Sequence, residues 1–224
     1  STKHALRSIP TLTKEHRILD IGSGTGTQTF DLAALTDAQI VAVDNHPPFI
    51  NAIAHRSAEL GFGNRIAATI GDMADLKFPN GSFDVVWSEG AVFIIGFSKG
   101  LADWHRLVKS GGYMVISESC WLKENPPAEL LEFFTKEGAD IETIESRKSA
   151  ISANGYHLID NFVLPEKGWR ENYYAPMLKV LDRFKNKYFD NPDALAVASR
   201  CQHEIDLYEK YSEYYGYVFF VMKV

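Results

Sequence analysis

The sequence predicts an α/β fold, a mostly parallel sheet with helices on both faces. Three observations predict it. Short apolar runs alternate with amphipathic stretches through the first half, one such run enters a glycine loop at residues 18–26, and acids close three successive runs. Arg17–Ile21 is the first strand-like run, and Thr27–Leu35 after the loop reads as a helix. Gln39–Asp44 is the second run. Pro47–Leu60 follows with Phe49, Ile50, Ile53 and Ala54 on one face, Pro near its start and Gly61 after its end, as a helix requires. Arg65–Ile70 is a strand stopped by Gly71, and Phe83–Trp87 is a strand after the turn Pro79-Asn80-Gly81-Ser82. Lys99–Lys109 carries Leu101, Trp104, Leu107 and Val108 at helical spacing, Gly111-Gly112 breaks it, and Tyr113–Cys120 follows as a strand.

The second half is mostly helical. Pro126–Lys136 and Glu142–Asn154 read as helices, Tyr156–Leu164 as a strand, Trp169–Lys187 and Pro192–Tyr215 as helices, and Tyr217–Val224 as a closing strand. No Pro/Gly/Ser linker divides the chain, so 1–224 reads as a single domain with a helical insertion between its last two strands.

Composition narrows the function classes. At 224 residues the chain supports one sizeable core, not two independent ones. A net charge of −6 argues against duplex nucleic acid, whose phosphates call for a basic face. No apolar run is long enough to span a bilayer. The two cysteines, Cys120 and Cys201, have no CxxC mate and no histidine at metal-ligand spacing, so no metal is expected. The opening Ser1-Thr2-Lys3-His4 lacks an apolar signal core. A soluble, reducing, cytoplasmic setting is the expectation.

The sharpest signal is Ile18-Leu19-Asp20-Ile21-Gly22-Ser23-Gly24-Thr25-Gly26. Glycine lets the backbone turn tightly and approach a ligand, and the helix that follows offers unpaired N–H groups. The dinucleotide pattern GxGxxG would need glycine at position 27, which is Thr27, so the spacing is DxGxGxG instead. Asp20 suits a cationic group such as the amino group of a methionine moiety. Asp44, at the tip of the second strand, can accept both ribose hydroxyls. Asp72 in Gly71-Asp72-Met73 can accept an adenine amino group while Met73 packs on the ring. Three acids with no Lys or Arg among them favour a nucleoside ligand without phosphate, S-adenosylmethionine (SAM), over NAD.

The series Ile18–Gly26, Asp44, Gly71-Asp72-Met73, Phe83-Asp84-Val85-Val86-Trp87-Ser88 and Leu107-Val108-Lys109-Ser110-Gly111-Gly112 resembles the ordered motifs of class I SAM-dependent methyltransferases. Within that class the chain resembles the small-molecule, ubiquinone/menaquinone-type branch and its uncharacterised bacterial and archaeal members. The resemblance covers residues 15–120. It implies a Rossmann-like seven-stranded sheet whose last strand, Tyr217–Val224, is antiparallel. It also implies a SAM-binding core at 15–120, with helical insertions at 121–155 and 165–215 forming the acceptor side. Through it, Asp20, Gly22, Gly24 and Gly26 would hold the methionine part, Asp44 the ribose, Gly71, Asp72 and Met73 the adenine, and Ser88-Glu89-Gly90 would line the methyl end. Asn45 is taken with the ribose acid, although many relatives differ there. The family's usual cover over the cofactor is a helix before the first strand, for which only Ser1–Pro10 is available.

Methyl transfer is mainly a matter of alignment, and a base is needed only where the acceptor must lose a proton. The catalytic candidates are Glu89, just after the fourth strand, and Tyr173 and Tyr174 in the late insertion. His46 and His105 are read as capping or structural histidines. The aromatic crowd after Pro165 reads as core packing, as a homodimer face, or as a pocket for an apolar acceptor. The expected activity is methyl transfer from SAM to a small molecule. The alternatives are an NAD(P)-dependent oxidoreductase and a non-catalytic SAM-binding regulatory protein.

Overall fold

A computed structural model describes residues 1–224. Five strands, β1 (Arg17–Ile21), β2 (Gln39–Asp44), β3 (Ile66–Ile70), β4 (Phe83–Glu89) and β5 (Val108–Trp121), lie parallel in the spatial order β3-β2-β1-β4-β5. Their central members are apolar on both faces, so helices must cover both sides. On one face Leu19, Ile21, Val86 and Met114 pack with Phe97, Leu101 and Trp104. On the other, Ile18, Val85, Trp87 and Val115 pack with Phe30, Leu32 and Ile53. The helices carrying these residues are α2 (Thr27–Leu35), α3 (Pro47–Glu59) and α4 (Phe97–His105).

Two antiparallel pairings complete the sheet. β8 (Tyr215–Lys223) lies between β5 and β7 (His157–Val163) and runs against both. These seven strands match the expected sheet. A two-residue β6 (Glu142–Thr143) beside the end of β5 brings the total to eight. The remaining helices are α1 (Thr2–Arg7), α5 (Ala128–Lys136), α6 (Ile144–Ala153), α7 (Glu166–Trp169), α8 (Ala175–Lys187) and α9 (Pro192–Tyr211). A π-helical turn, Arg170–Tyr174, joins α7 to α8. Leu130, Phe133, Trp169, Leu181, Ile205 and Tyr208 form a third core that holds α5 and α7–α9 together beside the sheet.

The structure departs from the sequence expectation at three places. The helix expected over Lys99–Lys109 ends at His105, because Val108 pairs with Phe83 and opens β5. Leu107 and Val108 are buried by the sheet, which gives them the same apolar signal as a helix face. Gly111-Gly112 therefore lies inside β5, where the register jumps so that Val108–Tyr113 faces Phe83–Val85. A Cβ at Gly112 would stand 2.8 Å from the Asp84 carbonyl oxygen. The helix expected from Glu142 begins at Ile144, with Thr143 Oγ1 accepting the Ser146 amide at 3.2 Å as its cap. The last long helix stops at Tyr211, and β8 starts at Tyr215 because Tyr215 pairs with Trp121.

Ser1–Pro10 does supply a helix, α1, with Ala5 fully buried in the second core and His4 stacked on Phe162 at 3.9 Å. No helix is long and apolar enough to cross a membrane.

Candidate functional site

Strand order reverses at β1, whose neighbours β2 and β4 lead away in opposite directions, so the crevice opens at the carboxyl ends of these strands. A cleft of about 490 Å³ lies there. The glycine loop forms one wall. Gly22 has φ +70°, and a Cβ on it would fall 2.4 Å from the Ala91 Cβ, so only glycine lets the loop come this close to the end of β4. Asp44 ties the loop to α3: its Oδ2 accepts the Gly24 amide and its Oδ1 the His46 amide, both at 2.9 Å. Each carboxylate oxygen can still accept from a ligand. Asp72 Oδ1 accepts the Ala74 amide at 2.9 Å, folding the turn after β3. Trp104 Nε1 donates to the Met73 carbonyl at 2.9 Å and fixes that turn from below.

Gly22, Asp44, Asn45, Gly71, Asp72 and Met73 all line the cleft. Val43, His46, Phe49, Gly90, Ala91, Phe93 and Ile94 complete it, and none of these thirteen is Lys or Arg. The cleft therefore has two acids, an amide, an imidazole and apolar walls, with no Lys or Arg for a phosphate. That set fits SAM, whose ribose hydroxyls, adenine amino group and amino-acid end offer donors to the acids.

Four expected cofactor residues do not line it. Asp20 is fully buried beneath the loop, with Oδ2 accepting from Thr29 Oγ1 at 2.5 Å and Oδ1 from Gln28 Nε2 at 3.3 Å. It braces the start of α2 rather than presenting an oxygen to the cleft. Burial pushes its carboxyl up to about 7 against these two hydrogen bonds, and nearby Glu89 and Asp44 add to the rise. Gly26 is packed: a Cβ there would meet Ile53 Cγ1 at 2.7 Å and Phe30 at 2.9 Å, so it seats α2 on α3. Ser88 is fully buried, its hydroxyl donating to the Ile21 carbonyl at 3.0 Å and locking β4 to β1. Gly24 has open space around its Cα and contributes through its amide to Asp44.

A second cavity, of about 570 Å³, adjoins the first, and Gly90 and Phe93 line both. Its walls come from β5 (Glu118, Ser119), α5 (Phe133, Phe134), α7 (Gly168, Trp169) and β8 (Tyr215, Tyr217), with Tyr173 from the π-turn. Of the three catalytic candidates only Tyr173 lines it. Glu89 points away: its Oε1 accepts from Trp87 Nε1 at 2.8 Å and from Thr2 Oγ1 at 3.0 Å, joining β4 to α1. Burial raises its pKa, opposed by those two bonds. Tyr174 is buried in packing, stacked on Trp169 with its hydroxyl donating to Glu204 Oε1 at 3.2 Å. His105 packs edge-on against Tyr156.

Glu118 is the residue that sequence reasoning missed. It is 2% exposed, with Oε1 accepting the Ser119 amide at 2.6 Å and Oε2 without a partner. Burial pushes its carboxyl up to about 7, held back by the Ser119 amide and by the charge of Arg147. The signal was a lone acid between Ser117 and Ser119 near the end of the strand-like segment Tyr113–Cys120.

A sheet of this order, with an acid-lined, cation-free cleft at its switch point, defines the class of α/β proteins that bind a nucleoside cofactor lacking phosphate. Within it the chain belongs to the methyltransferase domain family, whose model matches residues 12–179. It is 25% identical over 198 residues to a sterol 24-C-methyltransferase of Neurospora crassa, covering 84% of this chain and 52% of that protein. It is 25% identical over 141 residues to phosphoethanolamine N-methyltransferase 1 of Arabidopsis thaliana, covering 62% of this chain and 28% of that protein. The ubiquinone/menaquinone biosynthesis C-methyltransferase UbiE of a Geobacter species is 32% identical over 105 residues, 46% of this chain and 45% of its own. The chain thus spans about half or less of the length of these curated relatives. In fold it resembles a SAM-dependent methyltransferase of Geobacter sulfurreducens solved with S-adenosylhomocysteine (TM-score 0.80, 22% identity, 98% of this chain and 87% of that one). It also resembles the [4+2]-cyclase SpnF (TM-score 0.78, 21% identity, 99% and 79%).

Proposed function

We propose that this protein transfers a methyl group from SAM to a small organic acceptor and releases S-adenosylhomocysteine. The observation that carries the reading is the junction at Gly90 and Phe93, where the acid-lined cleft meets the aromatic cavity. Donor and acceptor would then approach end to end across one residue of backbone. When bound, SAM supplies a methyl group on a positively charged sulfur that leaves readily. The residues position it. Asp44 takes the ribose hydroxyls, Asp72 the adenine amino group, and Met73 the face of the ring. Gly22 and Gly24 let the chain close around the amino-acid end, and Asp20 supports them through Thr29 and Gln28. Gly90 has φ +60° and no side chain, and a Cβ there would stand 3.5 Å from the Tyr217 hydroxyl and narrow the junction.

Relatives named for methylating phosphoethanolamine, a sterol and a quinone precursor support a small-molecule acceptor. Those names include both N- and C-methylation, so they do not choose the atom. The free cysteines Cys120 and Cys201 support a reducing, cytoplasmic setting. Exposed Leu178, Val180 and Phe189 in the helical lobe support the homodimer expectation.

Parallel calorimetric titrations with SAM, S-adenosylhomocysteine and NADH test the cofactor. Micromolar binding of the first two and none of NADH is expected. Asp72→Asn and Asp44→Ala should each weaken SAM roughly tenfold, the worth of about one charged hydrogen bond. Binding of NADH alone would overturn the reading in favour of an oxidoreductase. The methyl-transfer step is tested separately, by incubation with labelled SAM and a panel of small acceptors.

A further inference from the structure

Five buried polar side-chain atoms have no hydrogen-bond partner within the protein, and three of them, Glu118 Oε2, Trp169 Nε1 and Tyr215 Oη, belong to residues lining the aromatic cavity. Buried polar groups in native proteins are nearly always paired, so orphans clustered on one cavity point to a ligand that pairs them. The ligand must offer a donor to Glu118 and an acceptor to the Trp169 N–H.

Charge narrows its chemistry. Glu118, Glu137, Asp140 and Glu204 line the cavity, and no Lys or Arg does. Two arginines lie outside its lining, and the charge of the buried Arg147 partly offsets that of Glu118. Arg147 donates to the Asp140 carbonyl at 2.5 Å and lies over the Phe97 ring, and Arg200 pairs with Glu137 at 3.3 Å. A phosphate or carboxylate on the acceptor would face four acids with no Lys or Arg in the lining to pair with it. The apolar walls, Phe93, Phe133, Phe134, Trp169, Tyr173 and Tyr217, are aromatic, and aromatic faces attract cations.

We propose that the acceptor is an amine on an apolar or aromatic body, bound in this cavity with its N–H donating to Glu118 Oε2. The proposal rests on the methyl-transfer reading above. The ammonium bound among these ring faces first gives a proton to the Glu118 carboxylate; the nitrogen lone pair so freed forms the new N–C bond as the S–C bond breaks, and the electrons of that bond stay on sulfur. The positive charge thereby moves from sulfur to nitrogen, into a box of carboxylates and ring faces that stabilises it. The product leaves as the methylated ammonium, and Glu118 returns its proton to water. A carboxylate raised to about 7 by burial is suited to such an exchange near neutral pH.

The test uses the full chain saturated with S-adenosylhomocysteine and three probes of one shape: benzylamine, benzyl alcohol and phenyl phosphate. Calorimetric titration should show benzylamine binding at least tenfold tighter than the alcohol, with phenyl phosphate not binding. Glu118→Gln should remove the tenfold advantage and leave the affinity for S-adenosylhomocysteine unchanged. Should that variant fold poorly, the ranking of the three probes on the unmodified protein still decides. S-adenosylhomocysteine bound but alcohol equal to amine, or phosphate preferred, overturns the amine proposal and leaves methyl transfer standing. No binding of S-adenosylhomocysteine removes the methyl-transfer reading and the proposal with it.

Discussion

Asp20→Asn should make the protein more stable at alkaline pH and should flatten its stability across the neutral range. Asp20 is fully buried, and burial lifts its carboxyl from 3.8 to about 7. The folded state therefore holds a proton that the unfolded state gives up between about pH 4 and 7. Stability falls where the folded state binds more protons, so Asp20's contribution is complete below its unfolded pKa and is lost as pH rises through its folded pKa. A rise of roughly three pH units, at about 1.4 kcal/mol each, makes the loss on the order of 4 kcal/mol. Asparagine keeps the geometry, since its amide can donate to Thr29 Oγ1 and its oxygen can accept from Gln28, and it carries no titrating charge. The assay is urea unfolding of both proteins by circular dichroism at about pH 5 and about pH 8.5. The difference between the two proteins isolates Asp20, because Glu89 and Glu118, also raised by burial, titrate in both. The variant should gain about 3 kcal/mol on the wild type between these pH values, because roughly the first pH unit of the loss falls below pH 5. Parallel stability curves would refute the reasoning and show that Asp20 stays ionised in the fold.

Two further substitutions probe how the cleft is held. Gly26→Ala must adopt φ +89° and place a methyl group 2.7 Å from Ile53. Left-handed strain and overpacking together should cost about 2–4 kcal/mol, read as a lower urea midpoint. An unchanged midpoint would mean α2 and α3 separate without penalty. Arg65 donates to the carbonyls of Ala33, Thr36 and Ala38 and so closes the C-terminal end of α2. Arg65→Met should cost about 2–3 kcal/mol of stability through these unpaired carbonyls while SAM affinity stays within threefold. A loss of binding larger than the loss of stability would place Arg65 in the site instead.

The cofactor side was legible because its determinants are local. Arg17–Ile21, Thr27–Leu35 and Gln39–Asp44 are each bounded by the glycine, turn or acid that ends them, and the structure keeps those bounds. Asp44, Gly71, Asp72 and Met73 reach one cleft because parallel strands in register deliver their ends to one edge. Asp20 and Ser88 lie at the same edge and were read with them, but their side chains turn inward to Thr29 and the Ile21 carbonyl. Alternation along a strand separates cleft from interior only when the register is known. The aromatic cavity was less legible. Glu118, Phe133, Trp169 and Tyr217 are far apart in the chain, and nothing in their local patterns brings them together. Tyr173 and Tyr174 show the limit most plainly. They are adjacent in sequence, yet the π-turn sends one to the cavity and the other to the Trp169 stack.

The position of β8 has a consequence for biosynthesis. β5 and β7 do not pair with each other, and the strand between them, Tyr215–Lys223, leaves the ribosome after both. Until it arrives, each presents an unpaired backbone edge, the kind of edge that recruits strands from other molecules. The parallel half of the sheet can assemble during translation, but closure must wait for these nine residues. A ribosome that stalls after α9 would release a chain with its donor cleft assembled and two adhesive edges exposed. Such truncated chains are expected to be substrates for chaperones rather than dormant enzymes.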